Sequence, residues 1–272
     1  MTELSGEPAN GLEWFGMELL EALRHKGVKQ KELATFSGYK EPYVSKVKNG
    51  QAKPSPEFAQ KCDVYFGTSG YFERMLVRIS EYGGHPSWFV PYLRLEREAT
   101  HIVDYSNAFI MGMLQTEAYA TAIFKSTHPR ETDEQIAARV EARVRRRDLM
   151  EGDSPPLLWV ILHESTLRTV VGDRQTMAAQ LRHLVASVGP NISVQVLPFA
   201  AGAPASSLPF TLLTLEEGAT VLYSETRGLG HVSDSAGAVL DSQSAYDRLR
   251  AAALSCEKSQ AFISKVAEEY GR

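Results

Sequence analysis

The sequence is poor in cysteine, since only Cys62 and Cys256 occur among its 272 residues, far apart and without metal-site spacing. Two isolated thiols exclude a disulfide framework, argue against structural zinc and suit a reducing compartment. We interpret both as small apolar fillers of a core. The chain also lacks a run of about 18 apolar residues, and its first ten residues lack the pattern of a signal peptide. We therefore expect a cytoplasmic protein without a membrane span.

Signatures of catalysis are missing as well. The chain has no G-x-S-x-G, no H-E-x-x-H and no glycine-rich phosphate loop, and "GLGHVS" at 228–233 lacks the third glycine of a dinucleotide fingerprint. His163 and Glu164 are adjacent at the end of a predicted strand, where they would point in different directions. We predict that the protein is not an enzyme and uses no cofactor and no metal.

What is present is the composition of an ordinary folded protein, with 43% hydrophobic and 23% charged residues. The net charge of −4 argues against indiscriminate binding to nucleic acid. The charge is unevenly distributed, however. From Leu20 to Lys61 there are nine Lys or Arg and four Glu, a local excess of five positive charges.

The basic segment contains two short helical patterns in "KQKELATFSGYKEPYVSKVKNG", residues 29–50. Gly38 separates them, and Gly50 is expected to end the second one just past its last turn. At 100° per residue the second pattern buries Val44 and Val47. The side chains that it turns outward are Pro42, Ser45, Lys46 and Asn49. The predicted arrangement is helix, tight turn, helix.

Apolar stripes flank this segment on both sides. Downstream, Ser55 is predicted to cap a helix that begins at Pro56. The stripe of that helix consists of Phe58, Cys62 and Phe66, and the upstream stripe of Trp14, Phe15, Leu19, Leu20 and Leu23. These residues are sufficient for an all-α bundle of four or five helices spanning about 12–75.

The spacing from Gln30 through Gly38 and Val44 to Gly50 resembles, without a gap, the Xre or phage-repressor class of helix-turn-helix domains. The resemblance implies that Gln30 contacts phosphate and that the N-terminal half of the following helix enters the major groove. Pro42 departs from the pattern, because it offers no donor where repressors often use Gln or Ser to read a base.

Sequence reading would then depend on the remaining outward residues. Lys46 suits guanine O6 and N7, and Glu41 can accept a hydrogen bond from cytosine N4. Lys40, Lys48 and Lys53 would contact phosphates, which set affinity rather than sequence. The predicted DNA-binding residues are Gln30, Tyr39, Lys40, Glu41, Tyr43, Ser45, Lys46, Asn49 and Lys53. The alternative is that the helix pair is a plain packing module with a solvated basic face.

A second region follows a stretch with Gly83, Gly84 and Pro86. We predict a first domain at 1–77, a linker at 78–90 and a second domain at 91–272. Helical patterns occur at 91–101, 116–126, 132–150, 174–187, 242–254 and 256–270, and strand patterns at 157–163, 192–198, 209–215 and 219–225. The "EEG" between the last two strands suggests a hairpin. The second domain is expected to be α+β, with a small mixed or antiparallel sheet packed with helices.

Ordered blocks across 92–268 resemble the C-terminal domain of actinobacterial antitoxin-like regulators, which include the WhiJ-type regulators. Among the blocks are "YLRLEREAT" (92–100), "ARVEARVRRRDLM" (138–150) and "PPLLWVILHESTLR" (155–168). This sequence departs at "IMGML", where that group has Pro-Gly-Leu-Leu, and at Arg147, where Gln is common. In that group an Xre-type N-terminus precedes the domain, and a neighbouring gene commonly encodes a small partner protein. The resemblance implies a DNA-binding repressor whose C-terminal domain engages a partner or a signal.

Two features of this domain are candidates for binding a partner or ligand. Gln115 and Thr116 lie at a predicted helix start, where amide donors can hold an anion or a peptide carboxylate. The alternative is that Thr116 only caps the helix. Arg139, Arg143 and Arg146 share a helix face that can meet an acidic partner or the DNA backbone. The alternative is a solvated face paired to Glu141 and Asp148.

Two further features concern the strand ends. Glu164 follows a strand directly, and we expect it to form an ion pair with one of the arginines of that helix. "AAGAPASSLP" at 200–209 is a small-residue loop that a binder would order, or else a passive connector.

We predict a sequence-specific DNA-binding transcriptional regulator, a repressor of the antitoxin-like kind. Its expected partners are double-stranded DNA, a second copy in a homodimer and a small partner protein encoded nearby, with the C-terminal domain in control. One alternative is a protein-interaction antitoxin with vestigial DNA binding, which Pro42 favours. Another is a small-molecule sensor with a pocket between the arginine-rich helix and the sheet.

Overall fold

The computed structural model describes residues 11–82, 89–226 and 229–271. They form two compact units. The first comprises the described residues up to Val90 together with His128–Ala142, and the second comprises Pro91–Thr127 and the described residues from Arg143 onward. The predicted linker at 78–90 lies partly outside the described residues, at 83–88. The predicted domain boundaries stay predictions.

Five helices build the N-terminal bundle of the first unit: α1 (Gly11–Lys26), α2 (Gln30–Ser37), α3 (Glu41–Lys48), α4 (Pro56–Phe66) and α5 (Tyr71–Tyr82). Their apolar faces meet in one core that includes Phe15, Leu19, Leu33, Phe58 and Cys62, each 0% exposed. The predicted bundle and the filler role of Cys62 are confirmed. Trp14, which the sequence places in the apolar stripe of α1, is 47% exposed instead.

The turns of the bundle follow from local chemistry. Gly38 ends α2 with φ +78°, a left-handed conformation that disfavours side chains, and its N–H donates to the carbonyl of Ala34. Ser55 caps α4 as predicted, because its Oγ accepts from Phe58 N at 3.1 Å. The buried carboxylate of Asp63 accepts from the backbone N–H groups of Phe72 and Glu73 at 3.0 and 2.9 Å, and so stabilises the start of α5.

A six-stranded mixed sheet forms the centre of the second unit. Its strands are β1 (Ala99–Ser106), β2 (Leu157–His163), β3 (Ile192–Leu197), β4 (Phe210–Leu215), β5 (Thr220–Thr226) and β6 (Leu229–Ser233), in the order β3-β2-β1-β4-β5-β6. β1, β2 and β3 run parallel, whereas β4, β5 and β6 pair antiparallel. The "EEG" turn joins β4 to β5 as the predicted hairpin. The α+β fold with a mixed sheet is confirmed.

In the described residues, further helices precede, connect and follow the strands. They are α6 (Val90–Glu98), α7 (Glu117–Thr127), α8 (Asp133–Val144, which begins in the first unit), α9 (Asp148–Glu151), α10 (Ser165–Arg168), α11 (Arg174–Ser187), α12 (Ala236–Ala252) and α13 (Cys256–Gly271). On one face, Tyr246 and Leu249 of α12 pack with Tyr105, Ile161 and Phe210 of the strands. At the β3 edge, α13 closes the sheet, because Ser259 Oγ accepts from Val196 N at 2.9 Å.

Three secondary-structure predictions need correction. The helix predicted at 91–101 ends at Glu98, and its last residues begin β1, the central strand, which was not predicted. β6 was not predicted either, and its five residues include a glycine. The single helix predicted at 132–150 is interrupted by a 3-10 turn at Arg145–Arg147.

Candidate nucleic-acid interface

The outer side of α3 carries the side chains that the sequence assigns to DNA. Val44 and Val47 are 0% and 1% exposed, as predicted, so the opposite side of this two-turn helix faces solvent. Lys40, Glu41, Pro42, Lys46, Asn49 and Lys53 are exposed, and Gln30, Tyr39, Tyr43 and Ser45 are half-buried.

Gln30, at the start of α2, ties together the two ends of α3. Its side-chain Nε2 donates to Glu41 Oε1 at 3.1 Å, and its Oε1 accepts from Lys48 Nζ at 2.8 Å. The amide orientation is chemically fixed, because a carboxylate only accepts and an ammonium only donates. Gln30 therefore positions Glu41 at the first turn of α3, a role that the sequence did not indicate.

Tyr39 and Tyr43 connect α3 to the start of α4. Their rings stack with centroids 4.7 Å apart, and both meet Phe58 edge-on at 5.3 and 5.4 Å. Tyr39 OH lies 2.6 Å from Ser55 Oγ, and Ser55 N donates to Tyr43 OH at 2.9 Å. The cap of α4 thus fixes the N-terminal half of α3 through two tyrosines that the sequence assigned to DNA.

A close crossing with α1 fixes the position of the C-terminal end of α3. A Cβ atom added at Gly16 of α1 would lie 2.3 Å from the carbonyl oxygen of Lys48. Only glycine lets the two backbones approach this closely. No sequence pattern indicated this role for Gly16.

A second carboxylate of the first unit, that of Glu134, lies within the electrostatic influence of Lys46. Glu134, in the first turn of α8, has its pKa lowered by hydrogen bonds from its own backbone N–H and from Thr132, and further by the charge of Lys46. Ala138, one turn further along α8, packs against the core of the bundle. The lysines of α3 are therefore accompanied by the carboxylates of Glu41 and Glu134.

Gln115 and Thr116, the candidates in the second unit, lie in an internal hydrogen-bond network. Gln115 is buried; its Nε2 donates to the carbonyl of Ile110 at 2.6 Å, and its Oε1 accepts from Arg143 at 3.0 Å. Thr116 N donates to Gln180 Oε1 at 2.7 Å. The capping role of Thr116 is confirmed, since its Oγ1 accepts from Tyr119 N at 3.3 Å.

Residues of the arginine face make several contacts within the chain. Arg139 forms a bidentate pair with Glu131 at 2.7 and 2.6 Å within the first unit. In the second unit, Arg143 lies over the ring of Phe124 at 4.0 Å, in addition to its bond to Gln115. Arg146 binds Glu96 through two hydrogen bonds of 3.0 and 2.6 Å.

Glu164 requires a correction. Its expected ion pair with an arginine of the α8 region is not formed, and its partner is Arg168, at 3.2 Å on the next helical turn. Its other oxygen accepts from Phe199 N at 2.9 Å. Glu164 therefore joins the end of β2 to the loop after β3. Helix α10 starts immediately after it.

A buried polar cluster in the second unit was not predicted. Asp104 of β1 is 6% exposed and accepts from Ser106 Oγ at 2.6 Å and Thr211 Oγ1 at 2.8 Å. Burial raises its pKa to about 6, although those two hydrogen bonds and Arg146 act in the opposite direction. A single acidic residue among apolar neighbours in the sequence gives no signal of this environment.

Two kinds of feature are absent from the described residues. None of the helices in that part of the chain has the length and apolar character needed to cross a bilayer. Over the same residues, no cluster of three or more His, Cys, Asp or Glu side chains has the arrangement of a metal site.

Comparison with known proteins gives two matches. A family model described as "Domain of unknown function (DUF5753)" matches residues 89–265. A model described as "Helix-turn-helix" matches residues 19–71, which include α2, α3 and α4 in full. No curated protein and no solved structure matches the chain significantly.

Proposed function

This chain belongs to the family defined by the domain of unknown function (DUF5753), and we propose that it is a transcriptional regulator that reads duplex DNA with α3. The helix-turn-helix match supports a DNA-binding regulator. One observation carries the sequence-reading role: Lys46 stands exposed on α3, and Gln30 holds Glu41 at the first turn of that helix.

The proposed roles divide into reading and anchoring. Lys46 reads guanine through O6 and N7, and Glu41 accepts from cytosine N4. Lys40 and Lys53 bind phosphates and set affinity without reading sequence. Tyr39 and Tyr43 act by supporting α3, and Ser45 and Asn49 lie at the edges of the contact.

The charges near α3 favour sequence-specific over nonspecific DNA binding. The carboxylates of Glu41 and Glu134 accompany the lysines of α3, and the whole chain carries a net charge of −4. Repulsion between these carboxylates and phosphates weakens nonspecific binding, whereas a base that offers a donor to Glu41 removes part of that penalty.

We further propose that the protein is a cytoplasmic repressor that acts as a homodimer under the control of a small partner protein. A single helix-turn-helix unit buries modest DNA surface, so two copies on half-sites about one helical turn apart are the expected binding unit. Sedimentation that finds a 30.1 kDa species without DNA, and a single protein copy on each duplex with DNA, would contradict the dimer.

The test of DNA reading is fluorescence anisotropy of the full-length protein on its own upstream DNA and on random duplex, over a salt series. Lys46→Ala is expected to lose roughly 1 to 3 kcal/mol on the specific site and little on random DNA. Lys53→Ala should weaken binding to both and flatten the salt slope by about one unit.

The matched control is Lys258→Ala, which removes one exposed lysine from α13, outside the bundle. It should bind like the wild type on both DNAs. If the wild type binds its upstream DNA no better than random duplex and Lys46→Ala matches it, the protein alone does not read sequence. That outcome would favour the antitoxin alternative, in which exposed Pro42 reflects a DNA surface no longer in use.

A further inference from the structure

Three large apolar side chains are exposed where the parallel strands of the second unit end. Phe109 follows β1, Phe199 follows β3 and Leu208 precedes β4, and they are 40%, 54% and 64% exposed. Carboxyl ends of parallel strands lie at one edge of a sheet, which is where open α/β sheets commonly bind ligands. We call Phe109, Phe199 and Leu208 the sheet-end surface.

Hydrogen bonds tie together the loops that carry this surface. Asn107 Nδ2 donates to the carbonyl of Ser207 at 2.8 Å. Ser165 Oγ donates to the carbonyl of Asn107 at 2.6 Å and lies 2.7 Å from His163 Nδ1. The ring of His163 meets Phe199 edge-on at 5.3 Å. The apolar side chains are therefore held on a connected frame, which lowers the conformational entropy lost on binding.

Phe109, Phe199 and Leu208 lie in two long stretches of sequence that carry no charged residue. Residues 105–116 and 184–215 contain no Asp, Glu, Lys or Arg, although 23% of the chain is charged. At that average, the second stretch alone would hold about seven charged residues. Depletion of charge around exposed aromatic and aliphatic side chains is typical of the core of a protein interface and unsuited to phosphate or nucleic acid.

The exposed area indicates the kind of occupant. The three side chains together expose roughly 300 Å² of apolar surface, judged from typical side-chain areas. A stable symmetric dimer buries about 800 Å² on each subunit, so this surface alone is too small to hold two copies together. It is the right size for a few anchor residues that dominate binding of a short segment.

From these observations we infer that the sheet-end surface docks a partner protein through a short uncharged segment with apolar anchor side chains. The inference rests on the proposed control by a partner protein and gives it a location. Glu164 connects this surface to the fold, since it holds both Arg168 and the backbone of Phe199. The remaining candidate residues for partner binding, among them Gln115 and Arg146, bind within the chain.

The test begins with a displayed random-peptide library selected on the full-length wild-type protein. Selected peptides are labelled, and their affinities are measured by fluorescence anisotropy on the wild type, Leu208→Asp and Phe199→Ser. The control is Leu240→Asp, because Leu240 is 68% exposed on α12 with a charged neighbour, Asp241. Thermal unfolding confirms that each variant is folded before it is used.

We expect selected peptides to be uncharged and rich in apolar residues. Leu208→Asp and Phe199→Ser should each weaken them at least about tenfold, and Leu240→Asp less than about twofold. The inference is wrong if no such peptide is selected, or if the peptides bind all variants equally. It is also wrong if the wild type sediments as a dimer that Leu208→Asp converts to a monomer, because the occupant would then be a second copy.

DNA binding of the same variants separates this inference from the proposed function. Variants of the sheet-end surface should bind the upstream DNA like the wild type, because their side chains lie in the second unit. If the wild type binds its upstream DNA no better than random duplex, the DNA role is refuted and the peptide result stays intact. Normal DNA reading without peptide binding would refute the docking surface alone.

Discussion

Asp104 shows how much a single residue can depend on its surroundings. Its carboxyl group is buried on the central strand, where two hydroxyl donors satisfy it without removing the cost of burying a charge. The pKa of about 6 in the folded protein lies above the ordinary value of 3.8, so the folded state binds this proton more tightly than the unfolded state.

Protonation of Asp104 should therefore stabilise the fold as the pH falls. Between pH 7 and pH 5 the free energy of unfolding should gain roughly 1 to 1.5 kcal/mol from this group. Asp104→Asn should remove that gain, whereas Asp241→Asn, on the exposed side of α12, should keep it. Urea unfolding at the two pH values measures the difference. Equal pH dependence in the wild type and Asp104→Asn would show that Asp104 titrates normally.

Residues with local determinants were predictable, and residues with distant partners were not. Val44 and Val47 follow from helical periodicity, and Ser55 from its place before a proline. Arg146 was read as an outward cation because its partner, Glu96, lies 50 residues away along the chain. A single sequence gives no signal of an ion pair between residues so far apart.

At the scale of helices, the crossing of α1 and α3 depends on the missing side chain of Gly16. Replacement by alanine would place Cβ 2.3 Å from the carbonyl oxygen of Lys48, so one backbone must shift. Gly16→Ala should destabilise the protein by roughly 1 to 3 kcal/mol, although alanine is the better helix former. Denaturant unfolding measures this loss.

The control for this prediction is Gly237→Ala in the first turn of α12, where an added Cβ meets nothing within 4 Å. It should leave stability unchanged or raise it slightly. Because Lys48 ends α3, Gly16→Ala should also weaken binding to the upstream DNA. If the two variants behave alike, the close crossing is not a constraint.

Elements with a simple pattern were found from the sequence, and the central strand was not. β2, β3, β4 and β5 are apolar runs between turn residues. β1 follows a helix without any break, and it carries His101 and Asp104 among its apolar residues. Its neighbours on both sides in the sheet decide that this segment is extended, and pairing across a sheet is not visible in one sequence.

For the whole molecule, the class and the order of the two domains were predictable. The contacts between segments far apart in the sequence were predictable only in part. A helical bundle followed by an α+β domain could be predicted from the change in pattern after the stretch with Gly83, Gly84 and Pro86. The membership of His128–Ala142 in the first unit could not, because this segment lies between elements of the second unit in the sequence. Its residues read as ordinary amphipathic helix in either place.

The position of β1 has a consequence for the time course of folding. Ile102 pairs with Leu158 on one side and with Leu213 on the other, so its two neighbours lie 56 and 111 residues downstream. Helices α1 to α5 contact one another within about 70 consecutive residues, and closing longer loops is slower. In pulse-labelling hydrogen exchange during refolding, amides of the bundle should become protected before those of β1. During synthesis, the first strand to leave the ribosome must wait for Phe210–Leu215 before both of its edges are paired.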